Sequence, residues 1–263
     1  MDGANEPQRR RLLAVIPARG GSKGLPGKHL RPFAGLPLIG HSIRCATLCP
    51  VIDRCIVTTD SPRIAEVARQ LGGDVPFLRP AELAQDQTPM WPVLRHALDA
   101  VESEEAVRYD ELLLLDPTSP VREPSDVPKA LQRLRQCPEA DGIIGVSQPD
   151  ANPIWHCVIE RDGWMADLMA EGSTFEYRQE VPTVYEINGS LYLWRAEFVR
   201  RETTSWRRGG RHVLYELSHA PAVSIDTLDQ FERAEALVKS GLVTLPWLQP
   251  DRALRAKEGA GSR

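Results

Sequence analysis

Cysteine and aromatic residues are scarce, and no apolar run is long. The five cysteines, Cys45, Cys49, Cys55, Cys137 and Cys157, form an odd set without a CxxC pair. That excludes a zinc ribbon or a disulfide framework and leaves reduced, mostly buried thiols. No stretch approaches the roughly 20 apolar residues of a membrane span. The polar N-terminal segment leads into an apolar run of only five residues, Leu12 to Ile16, too short for a signal-peptide core. An excess of basic charge is also missing: 32 Lys and Arg stand against 36 Asp and Glu, a net charge of -4. The chain therefore lacks an electrostatic footprint for nucleic acid or an anionic membrane, and any bound phosphate must be held locally. The expectation is a globular, cytoplasmic protein.

The 263 residues suit one large domain. Apolar runs closed by turn residues alternate with segments of helical period. LLAVI, RCIVTTD, DVPFL, ELLLLD and DGIIGVS read as strands. Between them, helices are expected after Pro37, after the cap Ser61, from Thr88 to Val101, and in PSDVPKALQRLRQ. This alternation predicts an α/β fold, a Rossmann-like three-layer arrangement with a mainly parallel sheet covered on both faces. WHCVIERDGWMADLM reads instead as a hairpin turning at Arg161, Asp162 and Gly163. INGSLYLW, HVLYEL and APAVSID then return as strands before a closing helix capped by Thr227 and stopped at Gly241. The expected organisation is a flexible N-terminus (1–10), a main domain (11–248) with an insertion at 150–179, and a flexible tail (249–263).

Residues Pro17 to Leu30, PARGGSKGLPGKHL, follow the first strand directly and hold four glycines beside Arg19, Lys23, Lys28 and His29. Ligands of open α/β sheets bind beyond the carboxyl ends of strands, so this loop lies where a ligand belongs. Glycine lets backbone N–H groups come close, and Arg and Lys neutralise phosphate oxygens, which together describe a polyphosphate cradle. It is neither of the two common kinds. Five residues separate Gly21 from Gly27 and His29 follows Lys28, which breaks the GxxxxGK[ST] pattern; no GxGxxG is present either.

PARGGSKGLPGK followed by FAGLPLIGHSI resembles the N-terminal signature of the acylneuraminate cytidylyltransferase family. VTTDSPRIAEVARQLG, FLRPAELAQDQT, LLLLDPTSPVR, YEINGSLYLW and SIDTLDQFERAE extend the resemblance along most of the chain. The resemblance implies a nucleotidyltransferase moving CMP from CTP to an acidic sugar of the nonulosonic, sialic type, with pyrophosphate released. It implies catalytic roles for Arg19 and Lys28, and nucleotide contacts from Ala18, Arg19, Gly20, Gly21, Ser22, Lys23, Lys28, His29 and Thr88. The acceptor would meet Asp116, Arg178, Gln179, Tyr185 and Asn188. Asp226, with Asp116, would hold Mg²⁺ or another divalent cation.

Three departures from the family pattern stand out. His29 replaces Asn beside the nucleotide. Asp116 replaces Gln on the acceptor side, exchanging a neutral donor for an acceptor-only carboxylate; it either selects the acceptor or caps the turn toward Thr118. Ser224 replaces the first Asp of an Asp-Ile-Asp pair. The alternatives are a nucleotidyltransferase using another nucleotide, sugar or phosphonate, and a sugar-nucleotide-binding protein without catalysis. His41, His96, His156, His212 and His219 have no metal-ligand spacing and read as structural or surface residues. Trp155, Trp164 and Met165 in the insertion point to a homodimer, since isolated hairpins need a packing surface.

Overall fold

The computed structural model describes residues 9–217 and 223–249. Chain order begins with β1 (Leu12–Pro17), the two-residue strands β2 (Pro32–Phe33) and β3 (Leu36–Pro37), α1 (Leu38–Thr47), β4 (Arg54–Thr58) and α2 (Pro62–Gln70). α3 (Met90–Glu105), β5 (Glu111–Leu114), α4 (Asp126–Gln136) and β6 (Gly142–Ser147) follow. Then come α5 (Pro153–His156), β7 (Val158–Arg161), β8 (Trp164–Asp167), β9 (Glu186–Arg195), α6 (Ala196–Arg201), β10 (His212–Glu216) and α7 (Leu228–Lys239).

One six-stranded sheet has the order β10-β6-β9-β5-β1-β4. β1 pairs in parallel with both β4 and β5, and β10 with β6; β9 runs antiparallel between β5 and β6. A strand buried on both faces must be apolar at every position, and all six residues of LLAVIP are buried. Because side chains alternate, Leu12, Ala14 and Ile16 join α1, α2, α4 and α7 in one core, while Leu13 and Val15 join Trp91, Leu94, Leu98, Trp194 and Phe198 in the other. Three layers result. Truncating a leucine at this depth costs about 2–5 kcal/mol.

Local signals account for the element ends. The Ser61 side chain accepts from Ile64 N–H, and Thr227 forms a reciprocal capping box with Gln230. The hairpin β7–β8 turns through Asp162 and Gly163, both at positive φ (54° and 81°), as a two-residue Asp-Gly loop requires.

Two expected strands are corrected. DVPFL makes only isolated parallel bridges to β4, Ile56 with Asp74 and Thr59 with Leu78. It lies at the sheet edge, and Pro76 between the bridges has no N–H to continue a ladder. APAVSID falls partly on residues 220–222, outside the described residues. Over Val223 to Asp226 burial alternates as in a strand, but the Ile225 N–H donates to the Thr118 carbonyl, 2.8 Å, in a turn rather than a sheet. Residues 1–8, His219 and the tail from Pro250 also lie outside the described residues; Arg9 and Arg10 are ion-paired with Asp53 (2.9 Å) and Glu111 (3.8 Å).

Candidate nucleotide cleft

The carboxyl ends of β1, β4 and β5 converge on a cleft of about 330 Å³, lined by Arg19, Lys28, His29, Arg79, Asp86, Thr88, Asp116, Thr118, Ser224 and Asp226 among others. Its position is the one that open α/β sheets reserve for ligands.

The glycine-rich loop reaches the cleft by a close approach. A Cβ on Gly24 would stand 2.4 Å from the Asp226 carbonyl oxygen, so only glycine lets the loop lie against the segment ahead of α7. Lys28, buried at the end of that loop, donates to the Ile225 carbonyl at 3.1 Å and to Asp226 Oδ1 at 2.8 Å. The Lys28 bond, partly offset by burial, holds the Asp226 carboxyl below its ordinary range. The Ser224 hydroxyl, in the place of the missing aspartate, donates to Asp226 Oδ2 at 3.3 Å.

Arg19 and Lys23 share one partner. Arg19 donates to Asp86 Oδ1 at 2.9 Å and Lys23 Nζ lies 2.7 Å from Oδ2. A carboxylate of the chain itself thus sits between two of the cations expected to meet phosphate. The two bonds hold the Asp86 carboxyl below its usual range. The amides around Arg19 are occupied: Ala18 N–H donates to Thr58 O at 3.0 Å and Gly20 N–H to Asp60 Oδ1 at 2.8 Å. Gly21 and Ser22 follow at the surface, with Ser22 partly covered.

Asp116 lies two residues beyond β5 and turns the chain. Its Oδ1 accepts from Thr118 N–H at 3.0 Å and from the Thr118 hydroxyl at 2.9 Å, the bonds of a turn cap. Thr118 and Ile225 then tie this turn to the Asp226 segment, so Asp116 and Asp226 line one cleft. His29 is buried among these charges. Desolvation lowers its pKa to about 4, Asp116 opposes the shift, and Lys28, Arg79 and Arg19 reinforce it, so the ring is neutral at pH 7. Its Nδ1 is buried without a hydrogen-bond partner.

The acceptor-side residues divide. Asn188 is buried in β9; its Oδ1 accepts from Ser190 N–H at 3.0 Å, and its Nδ2 has no partner. Gly189 has φ +75°, and a Cβ there would meet Ser119 Oγ at 2.4 Å, so the Asn-Gly strand is pressed against the Asp116 turn. Arg178 and Gln179 lie in an exposed helical turn and Tyr185 is exposed, and neither these three nor Asn188 lines the cleft. Arg79 is a lining residue that the sequence reading missed. It is buried, donates to Thr58 Oγ1 at 3.2 Å, and burial lowers its pKa to about 10, which leaves it cationic. Only its place in FLRPAELAQDQT pointed to it.

Among the described residues no group of three or more His, Cys, Asp or Glu forms a metal cage, and no helix is long and apolar enough to cross a membrane.

A family model described as Cytidylyltransferase matches residues 13–240. The chain is 33% identical over 229 residues to a CMP-N,N'-diacetyllegionaminic acid synthase of Legionella pneumophila, with 87% of this chain and 97% of that protein covered. It is 33% identical over 227 residues to a pseudaminic acid cytidylyltransferase of Campylobacter jejuni, covering 86% and 96%. Among solved structures, CMP:2-keto-3-deoxy-manno-octonic acid synthetase complexed with CTP superposes with a TM-score of 0.66 at 21% identity, covering 88% of this chain and 99% of that one. At that identity the likeness carries the fold.

Proposed function

The chain belongs to the cytidylyltransferase family, and from that premise we propose that it transfers CMP from CTP to an acidic nonulosonic sugar and releases pyrophosphate. The observation that carries this reading is the convergence of Arg19, Lys28 and Arg79 with Asp116 and Asp226 in one cleft at the strand ends. The relatives support the acceptor class, since they are named for legionaminic and pseudaminic acids.

A hydroxyl of the acceptor attacks the α-phosphorus in line, forming the new P–O bond as the bond to the pyrophosphate oxygen breaks; the hydroxyl proton passes to solvent. The chain's work is positioning and charge stabilisation. Lys28, anchored by Ile225 and Asp226, and Arg19 supply fixed positive charge where negative charge gathers on the leaving group. Arg79 adds a cation that does not have to leave a carboxylate to do so, since its bond is to Thr58. Asp226, with Asp116, would hold Mg²⁺, which when bound neutralises phosphate oxygens. The neutral His29 ring offers a hydrogen-bonding edge to the nucleotide rather than a charge.

Homodimerisation and a cytoplasmic setting belong to the same reading. The insertion exposes Val158, Trp164, Met165 and Tyr177, with Trp164 and Met165 on opposite faces of the hairpin, and a second copy could cover one of these faces. All five cysteines are unpaired, as in a reducing compartment. The test is pyrophosphate release with each of the four nucleoside triphosphates against a panel of nonulosonic acids. Release with CTP and one of these acids is expected. Release only with another triphosphate or a phosphonate acceptor, or none at all, would replace the reading.

A further inference from the structure

We propose that Arg122 is a positioning residue that sets the Asp116 turn of the cleft against the Asn-Gly strand through a fork of three hydrogen bonds. The inference rests on the cytidylyl-transfer reading and assigns a role to a residue that does not itself line the cleft.

Arg122 follows the Asp116 turn and is 6% exposed. Its guanidinium reaches three separate elements. Nε donates to the Ser190 carbonyl in β9 at 2.7 Å, one Nη donates to the Ser42 hydroxyl in α1 at 2.9 Å, and the other donates to the Asp116 carbonyl. All three acceptors are neutral. A buried cation bonded only to neutral oxygens is an expensive way to add stability, and an apolar side chain of similar volume would be cheaper. What it supplies instead is rigid, planar geometry: one group of fixed shape can hold three directions at once, which lysine cannot.

The contacts it fixes are those on which the site depends. The Asp116 carbonyl, held by Arg122 and by Ser119 N–H at 3.1 Å, opens the turn whose Thr118 carbonyl receives Ile225 N–H at 2.8 Å. Ile225 and Asp226 in turn hold Lys28. On the other side, the Ser190 carbonyl belongs to the strand that carries Asn188, and Ser190 Oγ donates to the Val121 carbonyl at 3.1 Å, beside Arg122. The guanidinium therefore bonds both the turn that leads to the phosphate-side carboxylates and the Asn-Gly strand. A shift there moves donor and acceptor relative to one another while leaving each half intact. Misplacement of about 1 Å between reacting groups can cost on the order of 10²-fold in rate.

The test uses Arg122→Lys, which keeps the charge and loses the fork, and Ser42→Ala, which removes one anchor of the fork from outside the cleft. Turnover with CTP and the acceptor identified for the wild type is measured beside the Kd for CTP alone by calorimetry. The expected result is a fall in kcat of roughly 10- to 100-fold in Arg122→Lys, with a smaller fall in Ser42→Ala. The Kd for CTP should stay within about threefold of wild type in both, because the phosphate loop is untouched. An unchanged kcat in a folded Arg122→Lys protein would overturn the proposal. So would a loss of CTP affinity as large as the loss of kcat, which is the mark of a structural defect. If Arg122→Lys does not fold, Ser42→Ala decides by the same two criteria. A wild type that releases no pyrophosphate would defeat the cytidylyl-transfer reading, whereas an active wild type beside an equally active Arg122→Lys would defeat this inference alone.

Discussion

In the cleft, the cations of the glycine-rich loop already have oxygen partners: Arg19 and Lys23 share Asp86, and Lys28 holds Asp226. In the insertion, Trp164 and Met165 are each 79% exposed on a short hairpin, uncovered by any of the described residues. The first region is complete electrostatically and can exchange one anion for another. The second leaves large apolar side chains in solvent. The two regions differ in the kind of partner each would suit, polar in one and apolar in the other.

The sharpest way to break the comparison is to remove the cradle's charge. Arg19→Ala and Lys28→Ala are each expected to lower turnover by roughly 10²-fold or more, the magnitude for losing one transition-state donor. Thermal melts alongside should show the Arg19 variant near wild type, because that side chain packs in no core; activity near wild type in both variants would refute their role. For the insertion, Trp164→Asp combined with Met165→Asp should turn a dimer into a monomer, read by light scattering at micromolar concentration. A wild type already monomeric under those conditions would remove the dimer from the reading.

Smaller effects probe the exchange of anions. Asp226→Asn keeps the backbone contacts of its segment but weakens both the cation site and the hold on Lys28. It is expected to raise the Mg²⁺ concentration needed for half-maximal pyrophosphate release, at a stability cost of about 1 kcal/mol because the carboxylate is largely exposed. A wild-type Mg²⁺ dependence would leave Asp226 as an anchor for Lys28 alone. Asp86→Asn should have the slightest effect and the opposite sign: with the competing carboxylate gone, CTP should bind about two- to fivefold more tightly, and more so at low salt. Weaker binding would mean that Asp86 orients the two cations rather than competing for them.

His29 adds a pH dependence of stability from within the cleft. Its folded pKa of about 4 lies below the ordinary 6.5, so between those values the unfolded chain binds more protons. Stability therefore falls as pH drops from about 6.5 toward 4, by roughly 1–3 kcal/mol from this group. Denaturant titrations of wild type and His29→Gln across that range should diverge in slope; parallel curves would show that the ring is not held neutral.

Much of this architecture could be read from local sequence. LLAVI, RCIVT and ELLL are strands because parallel pairing buries both faces, and Ser61 and Thr227 cap helices through bonds that their spacing anticipates. The loop's place at the cleft was legible because glycines and cations crowd the segment after a buried strand. What escaped depends on pairing between distant segments. That β9 runs antiparallel to both neighbours follows from the path the chain takes through the insertion, which apolar alternation does not encode. DVPFL has strand composition but lies at an edge with Pro76 in its middle. Arg79 and Asp86 gave no local signal, since a lone loop arginine or aspartate ordinarily reads as solvated. Only the fold brings one beneath Thr58 and the other between Arg19 and Lys23.

The bond from Lys28 to Asp226 joins residues 198 positions apart. A chain emerging from the ribosome therefore exposes its cationic loop long before the segment that anchors it has been made. The sheet strands β1, β4 and β5 can assemble first, but a competent cleft must wait for residues 225 and 226 to lie against Gly24 and for the closing helix to dock. Long-range closures of this kind are formed late and slowly. Appearance of activity during refolding should accordingly lag behind formation of the sheet, which makes catalysis a reporter of the finished chain.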